Sequence, residues 1–146
     1  MPDLKPYQFI ANRLKTVDET RGAHEDMRKH LKESFPDLYG NVGFECGAGW
    51  WLILYDLGRY ITWDVEKNGM AMPEVRQIKE KFGSLRFYAQ HAEPDTKEGD
   101  YNRGKLRGYI SVHENLAART CEVCGQPGEI RNDSGWYKAR CEKHNG

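Results

Sequence analysis

The sequence lacks a long hydrophobic run, an excess of charge of one sign, and a large number of cysteines. No apolar stretch approaches the roughly 20 residues of a membrane span, and the first residues lack the pattern of a secretory signal. Lys and Arg number 22, as do Asp and Glu, so the chain has no overall attraction for nucleic acid or a membrane surface. These absences predict a soluble cytosolic protein.

Four cysteines in 146 residues suit a reducing compartment better than a disulfide scaffold, and three of them fall in one motif. Cys121 and Cys124 form a Cys-x-x-Cys pair, and after sixteen intervening residues Cys141 and His144 form a second pair with the same internal spacing. Such paired ligands are typical of structural zinc sites, which have four protein donors and no open position. The sequence predicts one structural Zn²⁺ here; the alternatives are two disulfides or four unrelated side chains.

The length is that of one ordinary domain, and we expect residues 1–146 to form a single domain of the α+β class. Residues 1–73 are predicted to be the mainly helical part and residues 74–92 a central β-hairpin. Residues 109–146 are predicted to form a helix plus the zinc-binding tail. The tail is expected to be a zinc ribbon or a minimal treble clef, and Gly125 is expected to adopt a positive φ after Cys124.

Two helices are predicted at the start of the chain. Pro6 is suited to open a short one, and Thr16 and Glu19 have the spacing of a capping box that begins a second helix ending near residue 35. His24 and His30 fall on the charged side of this second helix, which we expect to be solvated. Its apolar side is a stripe of four residues, namely Ala23, Met27, Leu31 and Phe35.

A glycine-rich segment, residues 40–50, precedes the most apolar helix of the chain. Apolar residues recur there at helical spacing, which predicts the central buried helix. The glycines do not indicate a phosphate loop, because no Lys-Ser or Lys-Thr follows them. Cys46 is expected to be a small buried side chain, and Asn68 with Gly69 marks a turn. The apolar positions of the helix are Trp50, Leu54, Leu57 and Ile61.

Residues 75–90 alternate as a β-hairpin that turns near residues 81–84. In its second strand Leu85, Phe87 and Ala89 are predicted to face the core, while Arg86 and Tyr88 face outward. An Arg beside a Tyr on a strand is suited to stack on bases or to anchor a protein partner. The alternative is a half-exposed edge on which Tyr88 shields the backbone.

Residues 93–108 are polar and contain several glycines, so we expect a loop there. This loop carries Arg103, Lys105 and Arg107, whose charges either contact phosphate or serve only solvation. A helix over residues 109–119 follows, and its inward positions are predicted to be Tyr109, Val112 and Leu116.

Between the ligand pairs, residues 129–131 and 136–138 are predicted strands of a small hairpin, separated by a Ser-Gly turn. We expect Trp136 to pack over the metal site or against the preceding helix.

Four runs of sequence together resemble a widespread set of small proteins encoded by bacteriophages and prophages. They are VGFECGAGW (42–50), KEKFGSLRFY (79–88), TCEVCGQPG (120–128) and GWYKARCEKH (135–144). The resemblance covers roughly residues 36–144. It implies a phage protein that works in the bacterial cytoplasm, and small phage proteins often act by binding a host protein, including components of defence systems.

The leading interpretation is a non-catalytic, zinc-stabilised protein that binds a host protein. Its candidate partner-binding residues are Arg86, Tyr88, Arg103, Lys105 and Arg107. One alternative is a nucleic-acid-binding protein, which the balanced net charge disfavours.

Another alternative is a metal-dependent nuclease of the HNH type. Such enzymes place a catalytic His in or beside the hairpin, and residues 125–140 contain none. His113 and Glu114 cannot be given that role from spacing. Asp56, Asp64 and Glu66 are suited to bind a divalent ion, but acids at the end of a helix are more simply explained as solvated, which is the prediction here.

Overall fold

The computed structural model describes residues 22–145, which form four α-helices and five β-strands. The helices are α1 (Ala23–Ser34), α2 (Pro36–Tyr39), α3 (Trp51–Asn68) and α4 (Lys97–Ala117). The strands are β1 (Phe44–Glu45), β2 (Glu74–Lys81), β3 (Ser84–Gln90), β4 (Glu129–Arg131) and β5 (Lys138–Arg140). This is the predicted α+β class, with helices first, a three-stranded sheet, and a strand pair near the C-terminus. The helix predicted at Pro6 and the capping box at Thr16 and Glu19 lie outside the described residues.

Helix α1 buries the predicted apolar stripe. Ala23, Met27 and Leu31 are all buried, at the spacing that places them on one side of a helix. The helix ends at Ser34, and Pro36 begins the short helix α2. Proline is suited to this position because the first N–H groups of a helix have no acceptor within the helix, so its lack of an N–H costs no hydrogen bond.

The two histidines of α1 do more than face solvent, which corrects the prediction for that side of the helix. His24 is exposed, yet its Nε2 donates to the carbonyl oxygen of Phe44 at 2.6 Å. His30 is half-buried and stacks on Tyr55, and its Nδ1 accepts a hydrogen bond of 3.0 Å from the Trp51 indole. Burial lowers the pKa of His30. Both rings therefore help to hold α1 against the rest of the fold.

Helix α3 is the central buried helix that the sequence predicts. Trp50 lies in the preceding 3₁₀ turn, and it is fully buried together with Leu54, Leu57 and Ile61. The helix ends at Asn68, after which Gly69 adopts a φ of 71°. Glycine enters this left-handed region without steric strain, so the predicted turn is confirmed.

Strands β2 and β3 form the predicted antiparallel hairpin, and β1 adds a short parallel strand on the other side of β2. Leu85 and Phe87 of β3 are buried, whereas Tyr88 is exposed and Arg86 half-buried, so the predicted alternation is confirmed. The outer edge of β3 is covered from α4, because the Phe87 N–H donates to a carboxylate oxygen of Glu114 at 3.0 Å.

The loop predicted over residues 93–108 is wrong from residue 97 onward, because helix α4 begins there. The Thr96 hydroxyl accepts a hydrogen bond of 3.0 Å from the N–H of Gly99 and caps the helix. Glu98 and Asp100 in the first turn add charge that stabilises the positive end of the helix dipole. These polar residues, which suggested a loop, are helix-start signals.

The inward side of α4 also differs from the prediction. Val112 is 57% exposed and Leu116 is 45% exposed, so neither faces the core. The buried residues of the helix are instead Leu106, His113 and Ala117, with Gly99 and Asn102 in its first half. These positions recur at helical spacing along one side of α4, and that side is rotated away from Val112 and Leu116.

One hydrophobic cluster joins the helices to the sheet. It includes Leu31 of α1, Leu54 of α3, Ile78 of β2 and Leu106 of α4. Tyr39 is fully buried within it, and its hydroxyl donates to the Leu54 carbonyl at 2.6 Å, which satisfies the one polar atom of the ring. Within the described chain, no helix is long and apolar enough to cross a membrane.

Candidate metal centre

The chain after α4 forms a small β-hairpin and ends in a 3₁₀ turn. Strand β4 lies where the sequence predicts it, but β5 covers residues 138–140 instead of 136–138. Ile130 pairs with Ala139, whose side chain is fully buried in the hydrophobic cluster. Trp136 precedes β5 in the connecting turn and is 73% exposed, so the prediction that it packs over the metal site or against the preceding helix is wrong.

Four side chains converge between the end of α4 and the end of the described chain. One donor atom from each of Cys121, Cys124, Cys141 and His144 lies within 4.8 Å of all the others. The Nδ1 of His144 is 3.2 Å from the Cys141 sulfur and 3.7 Å from the Cys121 sulfur. Across residues 22–145 this is the one group of His, Cys and acidic side chains that can hold a metal ion. It consists of the four residues chosen from spacing.

The distances fit a tetrahedral metal ion and not a disulfide. Metal–sulfur bonds of about 2.3 Å in tetrahedral geometry separate two sulfurs by about 3.8 Å. The sulfurs of Cys124 and Cys141 are 3.7 Å apart, far beyond the roughly 2 Å of a disulfide bond. Cys121 and Cys46 are not in disulfide bonds either. Four protein donors complete such a shell, so no coordination position remains for substrate or water.

The backbone around the ligands is closed by short hydrogen bonds. Gly125 has a φ of 80°, as predicted, and its N–H donates to the Cys121 carbonyl at 2.9 Å. The Cys121 N–H donates to the Gln126 carbonyl at 2.8 Å, so the Cys-x-x-Cys segment is a tight turn. At the other pair, the 3₁₀ turn Glu142–His144 carries His144 back to the side of Cys141.

Glu122, between the first two cysteines, fastens this turn to the rest of the molecule. Its carboxylate accepts hydrogen bonds from the Gly47 N–H at 2.8 Å and from the Arg140 guanidinium at 3.2 Å. Its backbone carbonyl accepts from the Gly49 N–H at 2.8 Å. In addition, the Trp50 indole donates to the Thr120 carbonyl at 2.9 Å. The metal centre is therefore bonded directly to the loop that starts the central helix.

This contact explains the glycine-rich segment that precedes α3. A Cβ on Gly47 would lie 2.4 Å from the Glu122 carbonyl oxygen, and one on Gly49 would lie 2.3 Å from the Cys121 carbonyl oxygen. Both distances are too short for any side chain, so the two backbones can approach only at glycine. Sequence reasoning missed Glu122 and this use of Gly47 and Gly49, because the two segments are far apart in the chain.

The thiols of the cluster have unequal pKa values when no metal neutralises them. Burial raises the pKa of Cys124 to about 12, and contacts with Cys121 and Cys141 act in the same direction. Burial also acts to raise the pKa of Cys141. Hydrogen bonds from His144 and the neighbouring thiols outweigh it and lower that pKa to about 6. Because a metal binds thiolates and not thiols, loading the site releases protons.

The five candidate partner-binding residues do not form one site. Arg86 and Tyr88 share the outer side of β3, whereas the other three belong to helix α4. Arg103 donates to the Pro94 carbonyl at 3.0 Å and pairs with Asp100 in its own helix. Lys105 pairs with the buried Asp64 at 2.7 Å, and Arg107 is the exposed one of the three residues on α4. Arg103 and Lys105 therefore have structural partners.

Asp64 was expected to be solvated, but it is 1% exposed and accepts three hydrogen bonds. Burial acts to raise its pKa, whereas the bonds from Lys105, Tyr109 and Asn68 outweigh burial and hold that pKa below its usual value. Burial and the bond to Asp64 also raise the pKa of Tyr109 to about 12. This network joins α3 to α4.

Two further residues with reactive side chains are placed in structural surroundings. His113 is 2% exposed, and its ring nitrogens face the Asp56 carboxylate at 2.7 Å and the Tyr109 carbonyl at 2.6 Å. Cys46 is buried, as predicted, and burial raises its pKa far above the usual value of a thiol. Neither residue belongs to the metal cluster.

Comparison with protein-family models, with curated proteins and with solved structures gives no match to this chain. Function is therefore inferred from the chemistry of the four-ligand cluster and from the exposed side chains. The cluster supplies three sulfurs and one imidazole nitrogen to a closed shell, which is suited to hold structure.

Proposed function

We propose that this chain is a non-catalytic binding protein whose C-terminal segment is held by one structural zinc ion. The observation that carries the proposal is the closed set of four donors, Cys121, Cys124, Cys141 and His144. Thiolate and imidazole ligands in a tetrahedral arrangement favour zinc over the harder cations, which prefer oxygen. With all four positions taken by protein, the ion stabilises the fold and does not activate a water molecule.

The surroundings of His113 disfavour a nuclease. An HNH-type mechanism needs a His that reaches a water molecule next to the metal. His113 is buried, and its ring is engaged with Asp56 and the Tyr109 backbone. Asp64, one of the three acids considered as ligands for a divalent ion, is already paired with Lys105. No described side chain outside the four ligands joins the metal cluster.

The partner that we propose is a protein of a bacterial host, as the resemblance to phage-encoded proteins implies. The balance of 22 basic and 22 acidic residues supports a protein over bulk nucleic acid, whose affinity depends on excess positive charge. Exposed aromatic residues of the kind that anchor protein interfaces include Tyr88, Trp136 and Tyr137.

Two measurements on the purified chain test this function. Elemental analysis is expected to find about one zinc per chain, and incubation with DNA or RNA and divalent cations is expected to leave both intact. As bait in a bacterial lysate, the chain is expected to retain the same identified protein with and without nuclease treatment. Loss of that protein after nuclease treatment would instead assign the chain to nucleic-acid binding, and reproducible cleavage would make it an enzyme.

A further inference from the structure

The outer side of the sheet places positive charges directly opposite one another. The register of β2 and β3 pairs Lys79 with Arg86, and Lys81 with Ser84. Directly opposed side chains of an antiparallel pair lie about 5 Å apart, where like charges destabilise the sheet. The pairing of Lys79 with Arg86 is therefore unfavourable within the fold itself.

No carboxylate of residues 22–145 forms an ion pair with Lys79, Lys81 or Arg86. Glu45 is adjacent to Lys79 in the register of β1 and β2, but its carboxylate accepts a hydrogen bond of 3.1 Å from Gln77. The Nε of Arg86 is buried and has no hydrogen-bond partner in the described structure. This buried Nε is not reached from solvent, but an anion from outside would pair with the ammonium groups of Lys79 and Lys81, which form no ion pair within the described structure.

Two exposed rings lie among these charges. Tyr88 is 45% exposed, with the Lys79 ammonium 5.8 Å from its ring centre. Phe82, at the tip of the hairpin, is 64% exposed, with the Lys81 ammonium 5.5 Å from its ring centre. Phe82 also has a φ of 56°, the one positive φ at a non-glycine residue in the described chain. A bulky residue in this conformation costs roughly 1 kcal/mol or more, and such strain is concentrated at functional surfaces.

The hairpin tip adjoins the hairpin of the metal centre. A Cβ on Gly83 would lie 3.2 Å from a methyl group of Ile130 and from the backbone nitrogen of Lys138. Lys138 has no ion-pair partner among the described residues, and it lines a shallow groove with the exposed Trp136. The two hairpins are therefore in contact at Gly83. The basic and aromatic residues on either side of this contact are here called the basic face, namely Lys79, Lys81, Phe82, Arg86, Tyr88 and Lys138.

We propose that the basic face binds an acidic segment of a protein partner, which rests on the binding function proposed above. The four cations of this face complement carboxylates, and its two rings offer apolar contact beside them. Acidic side chains also border the surface: Glu45 neighbours Lys79, and Asp133 lines the groove together with Lys138, Arg131 and Arg140. A protein segment can place residues of either sign opposite this mixture of charges, whereas a phosphate backbone carries negative charge throughout.

The test measures binding of the full, metal-loaded chain to two fluorescent probes by anisotropy. One probe is a peptide that alternates glutamate and leucine, and the other is an oligothymidylate of the same length. The binding variant combines Lys79→Gln, Lys81→Gln and Lys138→Gln. The matched control removes the same charge at three exposed lysines elsewhere, Lys29→Gln, Lys67→Gln and Lys97→Gln.

We expect the peptide to bind more tightly than the oligothymidylate, with affinity that falls as salt rises. The binding variant is expected to lose about tenfold in affinity for the peptide, and the control variant to bind like the wild type. Equal effects of the two variants, or no saturable peptide binding, would refute the basic face. Tighter binding of the oligothymidylate would indicate that the basic face binds single-stranded nucleic acid and not an acidic protein segment.

The lysate experiment separates this proposal from the broader function. An identified protein retained equally by the wild type and the binding variant would leave the binding function in place and move its surface elsewhere. Circular dichroism and zinc content of the variants show whether they are folded, so a loss of affinity is assigned to the missing charges. Failure to retain any protein would contradict the broader function itself.

Discussion

At the scale of single residues, the molecule separates cysteines that can hold a metal ion from one that packs in the apolar core. Cys121, Cys124 and Cys141 converge with His144, while Cys46 is buried with the apolar residues. The spacing of the ligand pairs is sufficient to predict the first group, because a Cys-x-x-Cys turn folds both sulfurs to one side. Cys46 has no paired ligand nearby in the sequence, and among residues 22–145 it belongs to no metal-binding cluster.

Replacing Cys124 by serine is expected to remove the metal and destabilise the fold. The hydroxyl is a far weaker ligand than a thiolate, and metal binding and folding are coupled. We expect zinc content to become substoichiometric and the melting temperature to fall by more than about 10 °C, since 1 kcal/mol corresponds to roughly 3 °C for a chain of this size. The control is Cys46→Ala, which should keep stoichiometric zinc. Unchanged melting of Cys124→Ser would contradict the site.

Asp64 gives a prediction about stability and pH. Asp64→Asn leaves Lys105 without its buried partner, so we expect a loss of about 2 to 3 kcal/mol in the free energy of unfolding. The exposed acid Asp133 serves as control, and Asp133→Asn should change the free energy by less than about 0.5 kcal/mol. Urea unfolding at neutral pH measures both differences.

The same carboxylate predicts the direction of the pH effect. Its hydrogen bonds hold the pKa of folded Asp64 below the unfolded value, so its contribution is complete above about pH 4. As pH falls through the lower, folded pKa, the carboxylate is protonated and this contribution is lost. The stability difference between wild type and Asp64→Asn should therefore shrink in acid. A difference that stays constant down to about pH 2 would contradict this assignment.

At the scale of elements, glycines in two places have opposite roles. Gly49 lies where the start of α3 meets the Cys121 turn, and any side chain would overlap the Cys121 carbonyl. Gly104 lies in the middle of α4, and a Cβ there would meet nothing within 4 Å. The first glycine is required by packing, whereas the second only weakens the helix.

These glycines give paired predictions for melting and metal binding. Gly49→Ala is expected to destabilise the protein by more than about 2 kcal/mol and to weaken zinc binding, because the clash separates α3 from the metal turn. Gly104→Ala is expected to stabilise it by about 0.5 to 1 kcal/mol, because alanine favours an exposed helix. Thermal melting and a competitive chelator titration measure the two effects. Equal responses would contradict the contact described for Gly49.

The elements that sequence predicted correctly are those with a strong local pattern. The stripe of α1, the apolar helix α3 and the alternation of β3 are all confirmed by burial. Helix α4 was predicted only from residue 109 because its first half is polar and contains three glycines. Its capping residue Thr96 was the local signal of the true start. The bond from Glu122 to Gly47 had no local signal, since it joins segments that are distant in sequence.

At the scale of the whole molecule, the metal centre is part of the core and not an appended module. Ala139 of β5 is buried in the same hydrophobic cluster as α1, α3 and the sheet. Glu122 and Thr120 accept hydrogen bonds from the segment that starts α3. Loss of the ion should therefore lower the stability of the helices and the sheet as well as of the C-terminal segment.

Removing the metal with a strong chelator is expected to lower the stability of the entire described fold. The fully buried Trp50, which is bonded to Thr120, should report this through near-ultraviolet circular dichroism. Adding zinc back should restore the signal and the melting temperature. If only the last residues became sensitive to protease while the rest melted unchanged, the coupling between tail and core would be refuted.

The carboxylate of Glu114 has a consequence for crowded solutions. An open sheet margin invites a strand from a neighbouring molecule, which is the first step towards fibrils. At Phe87 this edge position is not open to another strand, because the backbone N–H already donates to the Glu114 carboxylate of the same chain. Concentrated samples should therefore resist strand-to-strand association along the edge of β3. A second protein chain must then bind the side chains on the outer side of the sheet and not the backbone of its edge strand.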